Sequence, residues 1–224
     1  MPAVDAGLRV KTPAETVIDL YSRRALEFDT DRNKTLFERP WLDAFLAHVP
    51  EAGTLLDLGC GSGEPIARHL IDQGRLVTGV DAAPDLISLC RKRFAAQEWI
   101  VADMRYLDLG RMFDGVLVWH SAIHLTPDAH RGMFDVYRRH VRPGGVLMFT
   151  SAPEGGEWVG EWRGEPLYHG GLSSEACEAG LDAAGFEVLA HRVNDSDCGG
   201  ATVWLARRRV SDCDYDRQTF QSNR

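Results

Sequence analysis

No Cys-x-x-Cys pair and no Cys/His spacing of a metal site occurs in this sequence, although it holds five cysteines, Cys60, Cys90, Cys177, Cys198 and Cys213. An odd set without that spacing reads as reduced thiols, not a disulfide framework or metal centre, so no metal is expected. No stretch approaches ~18 uninterrupted apolar residues, which excludes a membrane-spanning helix. The amino terminus carries Asp5 and no apolar segment, so no secretory leader is expected and the cytoplasm is the expected compartment. Basic residues are in deficit, 25 Lys and Arg against 33 Asp and Glu, for a net charge of −8. The basic clusters Arg91-Lys92-Arg93 and Arg207-Arg208-Arg209 are short and fall where helix or strand ends would expose them. Nucleic-acid binding needs a broader phosphate-neutralising surface, so such a partner is not favoured. Repeats and low-complexity tracts are also missing.

What is present suits one domain. With 224 residues and 44% apolar content, the chain can bury one good-sized core. Residues 1–11 read as a loose arm. Thr12-Pro13-Ala14-Glu15 then has the order of a helix start, with Thr12 as N-cap, Pro13 at the first position and Glu15 as the capping-box acid. A second helix is expected over 34–48, with Leu36, Trp41, Phe45 and Leu46 apolar. From residue 53 onward strand and helix patterns alternate. Strands are expected at 54–58, 76–80, 99–102, 114–119, 145–151, 186–193 and 201–207, and helices near 64–73, 84–95, 127–140 and 173–184. Such alternation predicts a doubly wound, mostly parallel α/β sheet with helices on both faces. The stretch Asn194–Gly200 is too short for a crossover helix, so the last two strands should form an antiparallel hairpin. The expected domain covers 1–210, with 1–50 as a helical cover, and 211–224 is a polar tail.

The chemistry concentrates in LLDLGCGSGE at 55–64 and VTGVD at 77–81. An apolar strand runs into Gly59, Gly61 and Gly63, which permit a tight turn into a helix and a close approach to a ligand. Asp81 ends the next strand, where one carboxylate can accept from two ribose hydroxyls. This is a nucleoside-binding half of a doubly wound sheet. In a G-x-G-x-x-G dinucleotide fingerprint the third glycine would stand at position 64, where this chain has Glu64. That argues against a nicotinamide-dependent oxidoreductase.

Six blocks in order, LLDLGCGSGEPIARHL, VTGVDAAPDLISLCRKRF, VADMRYLDL, FDGVLVWHSAIHLT, RPGGVLMFTS and GFEVL…TVWLARR, resemble the class I S-adenosylmethionine-dependent methyltransferases over roughly residues 50–208. The resemblance implies a seven-stranded sheet closed by the terminal hairpin, with S-adenosyl-L-methionine as cofactor and S-adenosyl-L-homocysteine as product. It implies that Asp57 orients the glycine loop and reaches the ligand's amino group. Gly59, Gly61 and Gly63, with the backbone of Cys60, would meet the methionine and ribose parts, the side chains of Cys60 and Ser62 facing outward. Asp81 and Ala82 would serve the ribose. Asp103 would serve the adenine amine, with Ala102 and Met104 flanking the ring. Trp119 and Tyr21 complete the implied cofactor contacts, Tyr21 from an N-terminal cover helix. His124 corresponds to a histidine frequent in the family beside the transferred methyl. His120 matches the family less well; its reading as a base or orienting group rests on its position alone.

Residues 151–172, SAPEGGEWVGEWRGEPLYHGGL, set four glutamates, two tryptophans, Tyr168 and His169 among six glycines. They are expected as a long loop on the ligand side of the sheet, a lid or binding loop. Trp158, Trp162, Glu165 and Tyr168 are the candidate acceptor contacts, and their mixture of acids and aromatic faces points to an amine or cation. A structural flap remains open as the other reading. His120, His124 and His169 are the candidate proton acceptors. The expected activity is methyl transfer to N or O of a small molecule. The alternatives are a tRNA or protein methyltransferase and a SAM-binding protein without turnover.

Overall fold

The computed structural model describes residues 12–210; the 1–11 arm, the 211–224 tail and Cys213 lie outside the described residues. Helix α1 (Pro13–Arg23) begins at the expected box. The Glu15 carboxylate accepts from the Thr12 amide at 2.8 Å and from its hydroxyl at 3.2 Å. A single non-helical residue, Arg24, separates it from α2 (Ala25–Asp31), a helix not anticipated from the sequence. The expected helix over 34–48 is shorter: α3 covers Arg39–Leu46. Leu36 sits at φ +55°, outside the right-handed helical region, so the helix can start only after it.

The alternating region runs β1 (Thr54–Leu58), α4 (Ile66–Asp72), β2 (Leu76–Asp81), α5 (Pro84–Arg93), β3 (Glu98–Val101), β4 (Phe113–Val118), α6 (Pro127–His140) and β5 (Val141–Ser151). Next come β6 (Glu154–Trp162), β7 (Glu165–Ser173), α7 (Ser174–Ala183), β8 (Phe186–Asp195) and β9 (Ala201–Arg208). Seven strands form one sheet in the order β3-β2-β1-β4-β5-β9-β8. β1 to β5 are mutually parallel, whereas β9 runs antiparallel to both β5 and β8. This is the expected doubly wound sheet with its terminal hairpin.

Strand alternation divides the core between two faces. Leu55 packs with Phe45, Leu70 and Ile87 under α3, α4 and α5. Leu56 and Leu58 point the other way, into a cluster with Met133, Phe134, Tyr137 and Leu181 from α6 and α7. The order reverses at β1, since β2 pairs on one side and β4 on the other. A crevice therefore opens beyond the carboxyl ends of β1 and β4.

The stretch 151–172 is not a loop. It forms the antiparallel hairpin β6–β7, a second sheet with Trp162 paired to Glu165 across a two-residue turn. Both turn residues have positive φ, Arg163 +52° and Gly164 +79°, the geometry that matches the twist of a tight hairpin. Six glycines obscured a strand pattern that cross-strand pairing supplies.

Candidate functional site

A cavity of about 340 Å³ lies at the reversal point. Its floor is the turn after β1. There the Gly59 and Cys60 amides donate to the Val80 carbonyl at 2.7 and 3.1 Å, which holds the turn against β2. Gly59 has φ +75°, and a Cβ there would stand 2.1 Å from the Cβ of Ser121. The Ser121 hydroxyl in turn donates to the Leu58 carbonyl at 2.6 Å. Only glycine satisfies both the backbone angle and this approach. The Asp81 carboxylate accepts from the Gly61 amide at 2.9 Å and the Ala83 amide at 2.8 Å, joining the glycine turn to the start of α5.

Asp57 is buried, lines the cavity and has no hydrogen-bond partner among the described residues. Burial first, and then the Asp81 charge, push its carboxyl up to about 7, against the opposing pull of Arg32. Burial likewise raises Asp81, offset by its backbone donors. Arg32, which follows α2 and lines the cavity, pairs with the buried Glu38. The sequence reading missed Arg32, since an arginine in the polar stretch DRNK carries no signal until the chain folds back.

Asp103 lines the far end with Met104, but its carboxylate is gripped by the Arg105 guanidinium, at 2.9 Å from Nε to Oδ1 and 2.5 Å from Nη2 to Oδ2. Ala82 lines the cavity; Ala102 does not, and packs on the α6–α7 core instead. Cys60 and Ser62 were expected to face outward, yet both are buried. The Ser62 hydroxyl donates to Asp29 at 2.7 Å, and Arg93 clamps the same carboxylate through two 2.6 Å bonds. This ties α2 to the glycine turn. Trp119 is buried at the cavity wall, and its indole N–H has no partner among the described residues.

The opposite wall is built from α1, the 3-10 turn Ala122–His124 and β7. Tyr21 lines it and donates its hydroxyl to Nε2 of His124 at 3.0 Å. His124 Nδ1 faces the Tyr168 carbonyl at 2.8 Å, and because a carbonyl only accepts, Nδ1 carries the proton. Burial depresses His124 to about 4, so the ring is neutral. His120 lies two residues beyond β4 with φ +49°, a strained angle for histidine, and its amide donates to the Thr150 hydroxyl at 2.9 Å. Loss of bulk water in the cleft, then the charge of Arg32, lower its ring pKa. His169 also lines the cavity, 5.0 Å from His124 between ring centres.

None of the four residues expected to contact an acceptor lines the cavity. Trp158 stacks behind His169, its ring centre 5.1 Å away. Trp162 stacks behind Tyr21 at 5.7 Å and donates to Asp31 at 3.2 Å. Glu165 is held by Arg23 at 2.8 Å and Arg24 at 2.5 Å. Tyr168 is buried, and its hydroxyl donates to Glu157 at 2.5 Å. The hairpin thus turns Leu167 and His169 to the cavity, while its acids serve other partners or face solvent. The expectation of an acidic, amine-selecting wall is corrected. Among the described residues no cluster of three metal-ligating side chains occurs, and no helix is long and apolar enough to cross a membrane.

Residues 55–145 match a family described as a methyltransferase domain. The chain is 35% identical over 103 residues to dTDP-3-amino-3,6-dideoxy-alpha-D-glucopyranose N,N-dimethyltransferase of Streptomyces fradiae, covering 45% of this chain and 40% of the relative. It is 33% identical over 153 residues to malonyl-[acyl-carrier protein] O-methyltransferase of Enterobacter lignolyticus, covering 64% and 59%. The chain thus spans about half the length of these relatives. The solved 1,6-didemethyltoxoflavin-N1-methyltransferase of Burkholderia thailandensis, which contains S-adenosylhomocysteine, superposes with a TM-score of 0.67 at 22% identity, over 92% of this chain and 94% of that one.

Proposed function

We propose that this chain, which belongs to the class I S-adenosylmethionine-dependent methyltransferases, transfers a methyl group from S-adenosyl-L-methionine to an N or O atom of a small molecule. The observation that carries the reading is the unpartnered Asp57 carboxylate beside Asp81 on the cavity floor. Two carboxylates that repel each other across one cavity are costly, and a ligand bearing an ammonium and a diol would engage both groups at once. In this assignment Asp57 takes the ammonium and Arg32 the carboxylate of the methionine part. Asp81 takes the ribose hydroxyls, Met104 and the Asp103 backbone border the adenine, and Tyr21, Trp119 and His120 border the sulfonium. The cofactor supplies an already activated methyl group, so the chain's own contribution is alignment and exclusion of water. The cover of α1, α2 and the β6–β7 hairpin performs that exclusion. It is fastened by Asp29 to the glycine turn and by Asp31 to Trp162 and Arg163.

A small-molecule acceptor is supported by the size of the cavity, about 340 Å³, and by the net charge of −8, which disfavours a tRNA. The four cysteines among the described residues are buried and form no disulfide there, which supports placement in the cytoplasm. Calorimetry with S-adenosylhomocysteine and NADH tests the reading: micromolar binding of the former and none of the latter is expected. The reverse preference would discard it. Methyl transfer across a metabolite panel then separates a catalyst from a binder without turnover.

A further inference from the structure

The charged residues lining the cavity are Arg32, Asp57, Glu64, Asp81, Asp103 and Arg105, all on the cover–glycine side or at the ends of β1, β2 and β3. The wall facing them, formed by Ile18, Tyr21, His124, Leu125, Leu167 and His169, holds no carboxylate, lysine or arginine. A charged acceptor held against this wall would leave water without a charged side chain of the wall to pair with. The polar capacity of this wall is limited to imidazoles and one phenol, and most of it is already committed. The Tyr21 hydroxyl and both nitrogens of His124 are used in the chain from Tyr21 to the Tyr168 carbonyl.

His169 is different. Its Nδ1 lies 3.1 Å from the Leu167 carbonyl, so that nitrogen carries the proton and Nε2 keeps its lone pair. The Nδ1 and Cε1 atoms of the ring lie against Gly160 of β6, and the residue lines the cavity. Trp158 stacks on the ring within 5° of parallel and fixes its plane. Nε2 has no partner among the described residues.

Resting on the methyltransferase reading above, we propose that the acceptor is an uncharged molecule bearing a phenolic or enolic hydroxyl, and that Nε2 of His169 receives its proton. As the acceptor oxygen bonds to the methyl carbon, the carbon–sulfur bond of the cofactor breaks and its electron pair stays on sulfur, leaving a neutral thioether. The hydroxyl proton moves to Nε2 and passes from the imidazolium to water. The titratable groups around His169 are His124 with Tyr21 behind it, Glu157, whose carboxylate is held by the Tyr168 hydroxyl, and His120 across the cavity. Burial lowers the pKa of His169, so its lone pair is available at neutral pH.

The test uses the full chain with histidines labelled with 15N and 13C, saturated with S-adenosylhomocysteine, and phenol, anisole, benzoate and benzylamine as probes. Calorimetry first establishes that S-adenosylhomocysteine binds. Its failure would count against the cofactor reading alone, and the probe series would then be run on the protein without it. At pH 7 the His169 nitrogens should report the Nδ1–H tautomer. Phenol and anisole should bind at least about tenfold tighter than benzoate and benzylamine. His169→Phe keeps a flat ring but removes the acceptor nitrogen. It should weaken phenol about tenfold and leave anisole, which has no proton to donate, unchanged. An Nε2–H tautomer, a charged probe binding as well as phenol, or equal effects of His169→Phe on phenol and anisole would overturn the proposal.

Discussion

Replacing Asp81 by alanine probes the floor of the cavity from two directions. In the folded chain this carboxylate accepts from the Gly61 and Ala83 amides at 2.9 and 2.8 Å. Losing those bonds costs stability, because each hydrogen bond to a charged acceptor contributes about 1.5–3 kcal/mol where water cannot replace it. The cavity admits water, so the realised cost is smaller. The substitution also removes the second of two neighbouring carboxylates, and relief of the repulsion on Asp57 offsets part of what remains. The expected net change in unfolding free energy is therefore modest, about 1 kcal/mol. Cofactor affinity behaves differently, because no other group can replace the two hydroxyl acceptors. A loss of about 2–4 kcal/mol corresponds to about 30- to 1000-fold weaker binding. The assay pairs urea unfolding with calorimetric titration of S-adenosylhomocysteine. Wild type should also gain about 2.7 kcal/mol of stability at a ligand concentration 100 times its Kd, whereas the variant at that same concentration should gain no more than about 0.9 kcal/mol. A folded variant with unchanged affinity would refute the assignment of Asp81 to the ribose.

Gly59→Ala combines φ +75° with a Cβ 2.1 Å from that of Ser121, so a loss of at least about 2 kcal/mol in urea unfolding is expected, together with lost ligand binding. Asp57 has a native pKa near 7 against an unfolded value near 3.8. The native state therefore holds more protons between those values, and the ligand-free protein should lose stability as pH rises from about 4 to about 7. An ammonium-bearing ligand favours the ionised form, so calorimetry at pH 6 in buffers of different ionisation enthalpy should show about one proton released on S-adenosylhomocysteine binding. Zero release, or uptake, would contradict the pairing of Asp57 with the ammonium. Asp29→Ala strands Arg93 and unties α2 from Ser62. It should cost about 2 kcal/mol in unfolding free energy and weaken S-adenosylhomocysteine binding as well. Normal affinity in that variant would show that the α2 latch plays no part in holding the cofactor.

Local signals were sufficient wherever one segment carries its own constraint. β1 over 54–58 and α6 over 127–140 begin and end where the apolar period, Pro127 and the Thr126 cap require. The Thr12–Glu15 box starts α1 because both partners lie within one turn. The glycine turn and Asp81 were legible for the same reason, since a backbone that must take positive φ beside a strand end restricts the residue types allowed there. The hairpin at 154–173 was misread because its strands are stabilised by register across the pair, such as Trp158 opposite His169, and not by any pattern within either strand. The same holds for the wall of the cavity. From the sequence Trp158, Trp162, Glu165 and Tyr168 are as eligible as Leu167 and His169. Alternation along β7, the Arg23 and Arg24 clamp on Glu165 and the stacking of Trp162 on Tyr21 decide which of them face the cavity. Arg32 joins Asp57 only because α2 folds back over the glycine turn. The sequence by itself therefore determined the strand and helix alternation, the terminal hairpin and the glycine turn, which depend on local period and backbone angle. The tertiary structure alone decided the acceptor wall and the partners of each titratable group, because burial, register and charge pairing arise between segments distant along the chain.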